Sequence, residues 1–312
     1  MPTLLRSLSL FAAFALLAIL PVFALAAPSA AVLARIEGSF NPAMSATETP
    51  AGRSLSLCAT TSLKLSVEDP VTKNPGFVQA MIYEPHHDTD LAVLVLPPTG
   101  GENILDQGYA NALCSSGFRA IVIQHWYNDT VAKLDLSMHD EGALRSLAAI
   151  RHVLDYLKPS RPNQVGILGT SVGAISSELA LGFDPRLNNA ALVVGGIGMP
   201  NIIAASTEKT LTALRDERMK AFGFKSPAEY LAALREAVVI EPADFVDFSG
   251  HKNVLAFVGT QDVTVPTATQ REMVKLYGAE SYDYASDHQG TIVHTFAAER
   301  SRVIGFFEKN LK

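Results

Sequence analysis

Apolar and polar residues alternate along Ser62 to Glu68 and again along Phe77 to Tyr83. This period of two predicts a pair of half-buried antiparallel strands at a sheet edge, joined through Asp69, Pro70, Asn74, Pro75 and Gly76. Farther along, the alternation gives way to short, largely apolar runs at Leu91 to Leu96, Ala120 to Gln124, Val165 to Leu168, Ala190 to Val194 and Val254 to Val258. Such runs suit strands covered on both faces. Segments of helical composition and spacing lie between them: Leu105 to Ser116, stopped at Gly117; a helix through Leu144, Ala148, Ile150 and Leu157, capped by Ser137 or Asp140 and ended before Pro159 and Pro162; and Ala174 to Leu181. A helix at Thr267 to Tyr277, a strand at Ser281 to Ala285 and a terminal helix from Thr295 to Lys309 complete the series. Strand and helix in alternation predict an α/β fold, a mostly parallel, doubly wound sheet with helices on both faces.

Three stretches depart from the alternation. Roughly Met199 to Lys252 holds helix-like pieces and no strand, with a good helix start at Ser226-Pro227-Ala228-Glu229. Ala27 to Arg53 is rich in Ala, Ser, Pro and Thr and has little periodicity, so it is expected to be a mobile lead-in to a body spanning 54–312. Met1 to Ala26 carries Arg6 as its one charge, an apolar run from about Leu8 to Leu20, a break at Pro21 and the small-x-small end Ala24-Leu25-Ala26. It reads as a secretory signal peptide cleaved before Ala27, so no stable membrane anchor is expected on the mature chain.

Composition narrows the function. The 312 residues are 48% hydrophobic, enough for a large core, and a net charge of −6 without a basic cluster argues against nucleic acid as a partner. Cys58 and Cys114 would enter an oxidising compartment, where a disulfide between them and two separate buried thiols are both open. His86, His87, His152 and His251 stand in no metal-ligand spacing, and His139 with Asp140 reads as a helix start, so no metal site is expected.

The chemistry concentrates in Val165 to Leu181, where a strand, the turn Gly169-Thr170-Ser171-Val172-Gly173 and a helix follow one another. A serine hydroxyl is a weak nucleophile that must be held clear of the backbone, next to a base and facing amide donors. Glycines two residues to either side give a strained strand-to-helix turn the room to present Ser171 in that way. With this elbow the sequence resembles the α/β-hydrolase superfamily, esterases and lipases in particular. There is some likeness to dienelactone-hydrolase-type proteins, whose nucleophile is typically cysteine where this chain has serine.

The resemblance implies an α/β-hydrolase sheet with a helical cap, about 199–252, inserted before the last strands. It also implies the chain order Ser, acid, His. Gly259-Thr260-Gln261-Asp262-Val263-Thr264-Val265-Pro266 looks like the family's acid turn and makes Asp262 the candidate acid, against a plain Asx-turn reading. His288, in Asp287-His288-Gln289-Gly290-Thr291, is the favoured base, with His294 as the alternative. The oxyanion hole would use the amide of Val172 and one from the loop Pro97-Pro98-Thr99-Gly100-Gly101-Glu102. Since prolines have no N–H, Thr99 or Gly100 must donate. Trp126 and Tyr127 are weak candidates for lining the substrate pocket.

The reaction implied by these residues is hydrolysis of a small carboxylic ester through an acyl-enzyme, with no cofactor required. Three alternatives stay open: a serine peptidase, an acyltransferase, or a secreted binding protein on an unused hydrolase scaffold.

Overall fold

The computed structural model describes residues 27–51, 58–126, 134–160 and 163–312. The expected N-terminal signal segment lies outside them, as does Tyr127. The strands are β1 (Ser45–Pro50), β2 (Ala59–Glu68), β3 (Pro75–Glu84), β4 (Ala92–Leu96), β5 (Arg119–Trp126), β6 (Val165–Thr170), β7 (Leu187–Val193), β8 (Asn253–Gly259) and β9 (Glu280–Tyr284). They form one sheet in the order β1-β2-β3-β5-β4-β6-β7-β8-β9. The first three join antiparallel, and everything from β5 through β4 to β9 is parallel. This is the α/β arrangement expected from the alternating pattern.

The apolar runs are central strands because both faces of the sheet are covered. Along β4, Val93 and Val95 face one apolar core while Leu94 and Leu96 face the other, and all four are buried. The first core is closed by helices α2 (Ile104–Ser115), α9 (His288–Ala298) and α10 (Arg300–Asn310), through Leu113, Ile292, Val303 and Phe307. The second is closed by α1 (Ala30–Ser39), α3 (Met138–Leu157), α4 (Val172–Phe183) and α8 (Thr267–Tyr277), through Ile36, Leu154, Leu179 and Met273. A bond between Cys58 and Cys114, with Cα atoms 6.5 Å apart, ties the start of β2 to the end of α2.

Two expectations are corrected. Ala27 to Arg53 is not a bare lead-in: α1 and β1 occupy most of it. Ser29 caps α1 by accepting from the Val32 amide at 3.2 Å, and Val32 and Ile36, four apart, turn inward. Every residue of β1 is exposed, so the strand has no alternation to read. The single terminal helix is two helices, broken at Glu299 (φ −110°, ψ 5°), so that His288 opens α9 instead of lying in a loop.

The insertion holds α5 (Met199–Ala205), α6 (Lys209–Phe222), α7 (Pro227–Ala237) and a 3₁₀ turn at Pro242–Phe245. Met199 and Ile202 of α5 pack on Ile175 of α4 and on Val265. The segment is fastened where it leaves and returns: the Glu241 carboxylate accepts from the amides of Gly198 (2.8 Å) and Met199 (2.7 Å). Asp140, fully buried on α3, accepts from the amides of Val239 and Ile240 and from Arg35. It therefore clamps the returning chain and does not cap its own helix.

Candidate active site

Three groups of residues come together at the C-terminal ends of the parallel strands. The first is Ser171, between β6 and α4, with φ 56° and ψ −120°. A non-glycine residue in that region carries strain that the surroundings must hold. The Ser171 amide donates to Val193 O at 2.9 Å, anchoring the turn to β7. The glycines around it are needed for contact: a Cβ on Gly173 would come within 2.3 Å of Leu96 O, and one on Gly169 within 2.5 Å of Gly173 O. Only glycine lets α4 approach the end of β4 so closely.

The second group follows β8. Asp262 is buried at 3% exposure, and its Oδ1 accepts from the amides of Thr264 (2.8 Å) and Val265 (3.0 Å). The third is His288 at the first position of α9, whose start is fixed by Asp287 accepting from the Gly290 amide at 2.8 Å. His288 Nδ1 lies 2.6 Å from Asp262 Oδ2, and Nε2 lies 2.9 Å from Ser171 Oγ. A carboxylate only accepts, so Nδ1 carries the proton and Nε2 is left to accept from the Ser171 hydroxyl. Ser171 and His288 are 7% and 6% exposed, whereas Val172, next after the serine, is 40% exposed and marks where the site opens.

The Val172 amide stands in the first turn of α4, where a helix leaves its N–H groups without internal partners. In the loop after β4, Gly101 N donates to Pro98 O at 3.1 Å, closing a turn with Gly100 at φ 98°. That turn uses neither the Thr99 nor the Gly100 amide, and among the described residues neither finds an acceptor. The loop is held from behind by a Gln124 to Glu102 hydrogen bond and by a capping box in which Asn103 N donates to Asp106 at 2.9 Å. Burial, with Glu102 beside it, pushes the Asp106 carboxyl up to about 7 against the pull of the Asn103 amide.

His294 and His139 make no hydrogen bond to Ser171, Asp262 or His288. His294 is exposed on α9, its ring 4.4 Å from that of Tyr284. Trp126 ends β5. His139 is half-buried in contact with Arg218 of the insertion at 2.9 Å, and desolvation followed by that positive charge pulls it down to about 4, so it is neutral. Among the described residues no three His, Cys, Asp or Glu side chains gather as a metal-binding set.

One buried residue at the site has no place in the sequence reading. Gln270 of α8, with no exposed surface, donates from Nε2 to Asp262 Oδ2 (2.8 Å) and to Val265 O (2.7 Å), and its Oε1 accepts from the Gly259 amide (3.1 Å). Its signal was positional: Gln270, Met273 and Tyr277 share the inward face of α8 at helical spacing, where a polar residue stands out.

No protein-family model matches the chain, and no curated protein matches it in sequence. Solved structures match over most of its length. Acetyl xylan esterase 1 from Thermoanaerobacterium sp. superposes with a TM-score of 0.67 at 12% identity, covering 92% of this chain and 95% of the other. The Pyrococcus furiosus esterase Pf2001 gives 0.58 at 14% identity, covering 87% and 100%. A putative dienelactone hydrolase from Klebsiella pneumoniae gives 0.51 at 16% identity, covering 80% and 99%. The chain has the α/β-hydrolase fold.

Proposed function

We propose that the protein is a secreted serine hydrolase that cleaves carboxylic esters through an acyl-enzyme. The observation that carries the reading is the unbroken run from Asp262 through His288 to Ser171, at 2.6 and 2.9 Å, on a strained turn that opens at Val172. In this mechanism His288 Nε2 takes the hydroxyl proton as Ser171 Oγ attacks the ester carbonyl. The developing oxyanion is met by the amides of Val172 and of Thr99 or Gly100. The protonated imidazole then gives its proton to the leaving alcohol oxygen, and Asp262 stays ionised throughout. A water deprotonated by the same nitrogen releases the acid and frees Ser171.

The esterases among the structural neighbours support an ester as the substrate class, and the one named for acetyl xylan supports a small acyl group as the first to try. The bonded Cys58 and Cys114 support export, since such pairs persist in oxidising compartments. Residues 1–26 would serve as the signal and the 199–252 insertion as the cap.

The test is labelling of the purified protein with a fluorophosphonate probe alongside turnover of p-nitrophenyl acetate. Wild type is expected to label and turn over, and Ser171→Ala to do neither. A folded wild type that does neither would leave a binding protein on this scaffold as the better account. Added alcohol that diverts the acyl group from water would move the reading to a transferase.

A further inference from the structure

We infer that Gln270 is a positioning residue of the proposed triad, which sets the orientation of Asp262 and tempers the pull of its charge on His288. The inference rests on the serine-hydrolase reading above.

Asp262 Oδ1 is held by two backbone amides, and Oδ2 faces the His288 imidazole, which changes charge during the proposed turnover. Gln270 supplies the other hold. Its orientation is not ambiguous: Oε1 faces an N–H, that of Gly259, while Nε2 faces a carbonyl, that of Val265, so the reversed amide would meet unfavourable partners at both ends. The side chain thus bridges the start of the acid loop at Gly259 to its end at Val265, and the remaining N–H reaches the oxygen that faces His288. With no exposed surface, this bond has no competition from water.

A donor on Oδ2 also changes the chemistry. A carboxylate oxygen that shares its charge with a second N–H attracts the imidazolium less, and removing that donor concentrates the charge on the bond to Nδ1.

The experiment compares wild type with Gln270→Met, which keeps length and volume and removes both polar ends. Expected for the variant are a fall in kcat of roughly ten- to a hundredfold, about what loss of one hydrogen bond to a charged group gives, with a small change in KM. The acid limb of kcat/KM is expected to move to higher pH by about half a unit to one unit, in the direction set by loss of a donor to the carboxylate. The same rise should appear when the His288 imidazole is titrated by NMR, its resonances identified by their loss in His288→Gln. The NMR titration needs no turnover, so it reads Gln270 even if the ester assay shows nothing, and the two proposals can fail separately. Should Gln270→Met not fold, the wild-type side-chain amide of Gln270 serves instead: its resonances are expected to titrate with the midpoint of His288. An unmoved His288 midpoint in the variant, or a Gln270 amide that ignores His288, would overturn the assignment and leave Gln270 a structural brace of the loop.

Discussion

At Asp262 the two readings of one residue coexist, with Oδ1 closing an Asx-type turn on Thr264 and Val265 while Oδ2 faces His288 and Gln270. In the sequence, Asp262 stood out only through the resemblance of its turn to the family's acid turn, because the residue types alone suit a plain Asx-turn as well. His288 and His294 were not separable from spacing alone. Their difference arises from where α9 begins, and the Asp287 cap that sets this start became clear only once the helix was in place. The geometry makes a sharp prediction between them. His288→Ala is expected to lose fluorophosphonate labelling and at least about 10³-fold in kcat, in line with removal of a triad member. His294→Ala, which alters an exposed ring packed on Tyr284, should stay within about twofold of wild type in the p-nitrophenyl acetate assay.

At the scale of elements, the buried strands and the helices that cover them were readable because each run of apolar residues is long enough to fill one layer. The first two elements, α1 and β1, were not readable. β1 shows no inward face, and α1 buries only Val32, Ile36 and Ser39. Nor could pattern alone reveal that α2 starts on a carboxyl held near neutral pH. Asp106 titrates near 7 in the folded chain but near 4 in an unfolded one. Between those values the folded state keeps a proton that the unfolded state has released, so this group's contribution to stability falls as pH rises from about 4 to about 7. The slope is at most about 1.4 kcal/mol per pH unit. Asp106→Asn keeps an acceptor for the Asn103 amide without the ionisation. Urea melts at a series of pH values from 5 to 8 are expected to show the variant gaining on wild type as pH rises, with no further gain above about 8.

Across the whole molecule, the bond between Cys58 and Cys114 joins the antiparallel edge to a helix packed on the parallel half, closing a loop with a sequence separation of 56 residues. The sequence left open whether these thiols pair, because it holds no distance between β2 and α2. Chain-entropy arithmetic puts the stabilisation from a loop of this size at about 4 kcal/mol. The double variant Cys58→Ala, Cys114→Ala is therefore expected to melt roughly 10 °C below wild type. The bond touches no residue of the triad, so ester turnover at room temperature should be nearly unchanged. Scanning calorimetry and the ester assay on one preparation check both outcomes.

The fastening of Gly198 and Met199 by Glu241 carries an implication for how this fold can be altered. A stretch of chain whose exit and re-entry are pinned together can change between them while its ends stay in register with the body. Ser171 precedes it in sequence, and Asp262 and His288 come after it. An engineer could therefore vary the length of the chain between α5 and the residues that Asp140 clamps without redrawing the sheet that holds Ser171.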